Sequence, residues 1–143
     1  MPTITKTVLV PYTTRQMFNL ISDIENYAQY LPWCTKSEIR NRMDNQVTGA
    51  VYLEYLKVKL HFVTLNTNIA YSAIKMELVE GPFKHLTGMW NFMPLGDTGC
   101  KIEFNLEYKF ANNVLEKIIG PMFNYISKNI VECFIQEAKK KYQ

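Results

Sequence analysis

The apolar positions of this chain change period once, and the change divides it into two kinds of structure. Over Asn113–Lys141, Val114, Leu115, Ile118, Ile119, Met122, Phe123, Ile126, Ile130, Val131, Phe134, Ile135 and Ala138 recur at steps of three and four. That spacing places them in one broad stripe along a helix, with most of the polar residues behind. At about 1.5 Å per residue the helix is about 42 Å long, so it needs a large apolar surface to lie on. Gly120-Pro121 interrupts it. Pro121 has no N–H for the Lys117 carbonyl and clashes with it, which predicts a kink. The bend either follows the surface beneath or serves as a hinge that lets the helix lift.

Before that helix the dominant period is two. In Thr3–Val10, residues Ile4, Val8 and Val10 share one parity, and Pro11 ends the strand. Thr13 and Gln16 have capping-box spacing, and Met17, Phe18, Ile21 and Ile24 form a helical face. A second short helix over 25–30 stops at Leu31, because Pro32 disfavours helical geometry in the residue before it. Strands are then predicted over 34–42, 46–55, 57–65, 71–80, 86–93 and 100–110. Turns are predicted at Asp44-Asn45, 66–68, Gly81-Pro82 and 96–99. The last strand alternates most cleanly, with Cys100, Ile102, Phe104, Leu106, Tyr108 and Phe110 on one side and Lys101, Glu103, Asn105, Glu107 and Lys109 on the other. Such alternation fits an antiparallel sheet with one packed and one wet face, and the short connections favour a meander. The predicted fold is α+β. One domain over 1–143 has a curved antiparallel sheet of about seven strands gripping the long C-terminal helix, with two short helices after the first strand. A cavity between sheet and helix is expected.

Composition adds little to this and removes several classes. With 48% hydrophobic and 20% charged residues the chain is ordinary globular material. A net charge of +3 permits contact with ribosome or an acidic membrane surface without arguing for either, and nothing points to DNA. Cys34, Cys100 and Cys133 are odd in number and match no zinc spacing, which suits a reducing compartment. The amino terminus has no apolar h-region, and no run of about 18 apolar residues occurs. The expected location is the cytoplasm, with at most a peripheral visit to the inner membrane.

Reactive groups are scarce. Histidine is the side chain whose ordinary pKa lies nearest neutrality, and the chain has two, His61 and His85. His61 shares its parity with Lys57 and Lys59, on the wet face, and His85 is placed in the loop after Gly81-Pro82-Phe83. There is no glycine-rich phosphate loop, no Gly-x-Ser-x-Gly and no His-Glu pair at metal spacing. The inward parity is aromatic and aliphatic: Leu53, Tyr55, Leu60, Phe62, Met76, Trp90, Phe92, Phe104, Leu106 and Tyr108, with Met122 and Phe123 opposite. These residues are either a solid core or the lining of a ligand cavity. A dry void of about 300 Å³ would cost about 7 kcal/mol, most of a small domain's stability, so a cavity of that size predicts a greasy occupant.

Several strings resemble one family. Asn26-Tyr27-Ala28-Gln29-Tyr30-Leu31-Pro32-Trp33-Cys34 is similar to the Tyr-x-x-Phe-Leu-Pro-Trp-Cys signature of the coenzyme Q-binding, START-like proteins of the polyketide cyclase/START superfamily, with Tyr30 where Phe is commoner. Gly81-Pro82-Phe83-x-x-Leu86-x-Gly88-x-Trp90-x-Phe92, Pro94-Leu95 and Cys100 to Phe110 resemble its later blocks. The resemblance implies a helix-grip (START/Bet v 1-like) fold with a hydrophobic tunnel and no catalysis. It also implies one of two roles. The first is non-enzymatic binding of ubiquinone or a related polyprenyl lipid in support of respiratory electron transport. The alternative, since the family includes bacterial ribosome-association toxins, is to bind the large ribosomal subunit and block its joining to the small one, inhibiting translation initiation. For the first role the expected ligand contacts are Leu31, Pro32 and Trp33 at a mouth able to touch a bilayer, and Tyr55, Phe62, Met76, Phe83, Trp90, Phe92, Phe104, Tyr108, Met122 and Phe123 within. Leu31-Pro32-Trp33 also reads as a structural corner. For the second role the candidate phosphate contacts are Lys36, Arg40, Arg42, Lys57, Lys59 and the run Lys139-Lys140-Lys141, which a solvated polar face explains as well. A cyclase-type enzyme is the third reading, disfavoured by the lack of inward His, Asp or Glu.

Overall fold

The computed structural model describes residues 2–142. Its elements run β1 (Thr3–Val10), α1 (Thr14–Ile21), a 3-10 turn (Ile24–Asn26), α2 (Tyr27–Tyr30), β2 (Cys34–Met43), β3 (Gln46–Tyr55), β4 (Val58–Ile69), β5 (Ala73–Glu80), β6 (Phe83–Leu95), β7 (Gly99–Phe110) and α3 (Asn113–Lys141). The seven strands form one antiparallel sheet in the order β1-β7-β6-β5-β4-β3-β2. After β1 the chain crosses through the short helices to the far edge at β2, then meanders back until β7 pairs with β1. The helical segment therefore closes one end of the sheet, and α3 lies over its inner face.

Local chemistry sets the helix ends. The Thr13 hydroxyl accepts the Gln16 N–H at 3.1 Å, while the Gln16 amide oxygen accepts the Thr13 N–H at 2.9 Å, a closed capping box. Asn112 caps α3 by accepting the Leu115 N–H at 2.9 Å, and Lys139, Lys140 and Lys141 fill its last turn, where cations offset the helix dipole. The helix continues across Pro121. Its packing is uneven: before the proline only Ile119 is buried, whereas Met122, Phe123, Ile126, Ser127, Val131, Phe134 and Ala138 are buried after it.

Most boundaries shift by a residue or two from the sequence reading, and two differ enough to change where a side chain points. Residues 66–68 are not a turn, because β4 runs through them and pairs with both neighbours, Asn66 opposite Val47 of β3 and Met76 of β5. The turn lies later, where the Ser72 N–H donates to the Ile69 carbonyl and Tyr71 adopts a φ of +46°. Asparagines are turn formers, but here their backbone groups are all needed by the ladder. His85 is likewise not in a loop. β6 begins at Phe83, directly after the Gly81-Pro82 turn, and carries His85 opposite Lys109 with its ring 3.1 Å from Glu107 on the outer face.

Candidate functional site

The inner faces of the sheet and α3 do not close completely. Between them lies a cavity of about 100 Å³. Strands β3 and β4 contribute Gly49, Val51 and Leu53, and Phe62, Thr64 and Asn66. Met76, Leu86, Trp90, Phe104 and Leu106 come from β5, β6 and β7, and α3 supplies Phe123, Ile126, Ser127, Ile130 and Phe134. Ile24, Tyr27, Leu31 and Trp33, from the short helical segment, complete the wall. Trp90 stacks on Phe104 with centroids 4.2 Å apart and meets Phe134 edge-on at 5.6 Å, which fixes three of these surfaces against one another.

Of the expected contacts, Leu31, Trp33, Phe62, Met76, Trp90, Phe104 and Phe123 come together on this wall. Leu31 and Trp33 are not an exposed mouth: they are 3% and 6% exposed, and the corner formed with solvent-facing Pro32 turns them inward. Six others lie elsewhere, because the inner face is longer than the cavity and its ends are plugged. Phe83 and Tyr108 join Phe110 and Phe123 in a cluster at one end, with Phe83–Phe110 at 4.9 Å and Tyr108–Phe123 at 4.8 Å. Phe92 packs edge-on against Phe18 of α1 at 5.9 Å. Tyr55 stacks on Tyr125 at 5.0 Å, Met122 is buried outside the lining, and Pro32 is exposed.

The sequence reading passed over the polar wall. Thr64 and Asn66 continue the inward parity of Leu60 and Phe62; the turn expected at 66–68 covers Asn66, while Thr64 lies in the expected strand and is a polar residue on an otherwise apolar parity. Both are buried, at 7% and 6% exposure, and the Thr64 hydroxyl donates to the Asn66 amide oxygen at 2.8 Å. Ser127, 5% exposed, stands on the facing helix. Gly49 had a readable signal, since glycine inside a strand marks close approach, and a Cβ there would lie 2.8 Å from Ile24 Cδ1.

Titratable groups near the cavity are held neutral. Burial, with Asp23 adding to it, pushes the Tyr27 phenol up, and its hydroxyl donates to the Ile21 carbonyl. Burial also raises the Cys34 thiol. The cavity lining contains no histidine and no carboxylate, and no group of three or more His, Cys, Asp or Glu residues able to hold a metal occurs among the described residues. No helix among those residues is long and apolar enough to cross a membrane.

The candidate phosphate contacts sit on the other side of the molecule or at its ends. Lys36 lies 3.8 Å from Glu38, Arg40 lies 3.6 Å from Glu38 and 3.8 Å from Glu80, and Arg42 lies 3.2 Å from Glu25. Arg40 also donates to the Tyr52 hydroxyl at 3.1 Å, and Tyr52 stacks on His61 at 5.2 Å with Lys36 above its ring. Lys57 and Lys59 are exposed beside the β3–β4 turn, where Leu56 and Lys57 have φ of +50° and +69°.

Comparison with known proteins places this architecture. Residues 10–135 match the family described as polyketide cyclase/dehydrase and lipid transport. The chain is 40% identical over 142 residues, covering 99% of it and 90% of the relative, to the ribosome association toxin RatA of Escherichia coli K12. It is 24% identical to the mitochondrial coenzyme Q-binding protein COQ10 of Drosophila melanogaster, over 96% of this chain and 58% of that protein. In structure it superposes on the Zhui aromatase/cyclase of Streptomyces sp. R1128 with a TM-score of 0.84 at 14% identity, covering 99% and 96% of the two chains, a likeness of fold alone. With its grip of seven strands on one long helix and its match over most of its length, the chain belongs to the polyketide cyclase/dehydrase and lipid transport family.

Proposed function

We propose that this protein associates with the ribosome, binding the large subunit so that the small one fails to join, and thereby restrains translation initiation. The observation that carries this reading is the 40% identity to a ribosome association toxin along essentially the whole chain. The scarcity of acid–base groups around the cavity agrees with a binding role. Sedimentation with purified large subunits at low and high salt tests it. The protein is expected to travel with the subunits at low salt and to dissociate as salt rises, because contact with phosphates is screened and counterions compete. Absence from the subunit fractions at both salts overturns the reading.

A second reading, ligand binding in the cavity, is favoured by the cavity itself and by the coenzyme Q-binding relative. Its size changes what the occupant is. At about 24 cal/mol per Å³ a dry void of the observed volume costs about 2 kcal/mol, which a small domain tolerates without an occupant. The space suits a ring, and a long isoprenoid tail would need α3 to move.

A further inference from the structure

We infer that the cavity selects a small ring bearing a hydrogen-bonding oxygen, a phenol, ketone or quinone, which Asn66 and Ser127 read from facing walls while Thr64 holds Asn66 in place. This inference rests on the cavity reading and is independent of the ribosome.

Thr64, Asn66 and Ser127 are the buried polar residues of the described chain, and all three line this one cavity. A purely structural filling would have been apolar, since polar groups taken out of water without partners are costly. Their bonding is incomplete in a directed way. Asn66 spends its amide oxygen on Thr64, which leaves its nitrogen to donate. Ser127 makes no side-chain hydrogen bond among the described residues, although a helical serine can bond to the carbonyl one turn back. The sheet therefore presents a donor and the helix a hydroxyl to the same space, whose wall also carries Trp90, Phe104 and Phe134.

The volume sets the size of the ligand. A dry apolar cavity of about 150 Å³ takes benzene, so the 100 Å³ observed here admits no more than one small ring, with the flexible Met76 giving way to make room. An oxygen at one end of such a ring satisfies Asn66 and Ser127 together.

The test uses phenol and toluene, which have the same number of heavy atoms and differ in hydroxyl against methyl. Binding is followed by NMR through the Met76 methyl and the Asn66 side-chain amide, and by fluorescence excited where only tryptophan absorbs, since both tryptophans, Trp33 and Trp90, line the cavity. The full chain is expected to favour phenol over toluene. Asn66→Leu and, separately, the milder Ser127→Ala should each weaken phenol by about tenfold while toluene is kept or improved. Equal binding of the two probes, or no change in preference in the folded Ser127→Ala protein, overturns the selection and leaves the cavity reading standing. Failure of both probes to bind overturns the two together. A prenylated phenol separates the sources: tighter binding than phenol supports the head of a prenyl lipid, and weaker binding supports a free ring.

Discussion

Cys100 is the second residue of β7, next to its turn, with none of its surface in water, and burial pushes its thiol up to about 11. The unfolded thiol gives up its proton near the ordinary value of 9.0, the folded one two units later. Between those values the folded state holds more protons, so each rise in pH favours unfolding. Stability is full below about pH 9 and is lost as pH climbs through 11, by on the order of 2 kcal/mol from this group. Burial raises the Tyr27 and Tyr30 phenols too, with the same sign. Urea midpoints measured from pH 8 upward should therefore fall, and less steeply in Cys100→Ala; a midpoint flat to pH 11 would contradict the assignment. Gly88 offers a second handle. It lies opposite Met76 across β5–β6, and a Cβ there would press on Met76 Cε, the free end of a flexible side chain. In Gly88→Ala the methyl should swing into the cavity, at about 1–3 kcal/mol of stability, and phenol binding should be lost with the fold retained. At this scale the sequence was legible where a side chain followed its parity, as Trp90 and Phe104 did. It was illegible where residue type and parity disagreed. Asn66 looked like a turn and faces the interior, and Phe83 looked like lining and fills an end.

Among the elements, α3 was the most legible, because a stripe sustained over many turns has no other explanation. Its internal difference was not legible, since apolar residues occur on both sides of Pro121. Val114 and Ile118 are exposed, whereas the turns from Met122 onward are buried against the sheet. The missing N–H of Pro121 removes a helical bond at the join. Amides of residues 114–120 should therefore exchange faster with deuterium than those of 123–138, by about a hundredfold or more if the first half opens on its own. Uniform protection along α3 would show instead that the proline seam holds. Strand boundaries were readable to within a few residues except in β4, where Asn-rich composition imitates a turn while the ladder continues.

For the whole molecule, the helix-grip arrangement and a cavity inside it followed from element order and short connections, whereas the size of that cavity did not. Alternation tells which residues face inward and not whether opposing faces meet. Here they nearly meet, because aromatic clusters fill both ends, and the 100 Å³ that remains is a third of the void weighed from sequence. Basic residues were similarly visible as a set and opaque as a surface, since the partners of Lys36, Arg40 and Arg42 are acidic residues scattered along the chain.

Those pairings bear on the rim of the sheet. β2 is its last strand, and such a strand offers backbone donors and acceptors to any second strand that approaches. Along it stand Lys36, Glu38, Arg40 and Arg42, two register irregularities break its straightness, and the 3-10 turn and α2 pack beside it. An incoming copy of the same strand would find ions to dehydrate and a backbone out of step with its own. The charges that look like an invitation to polyanions thus also discourage the molecule from polymerising with itself.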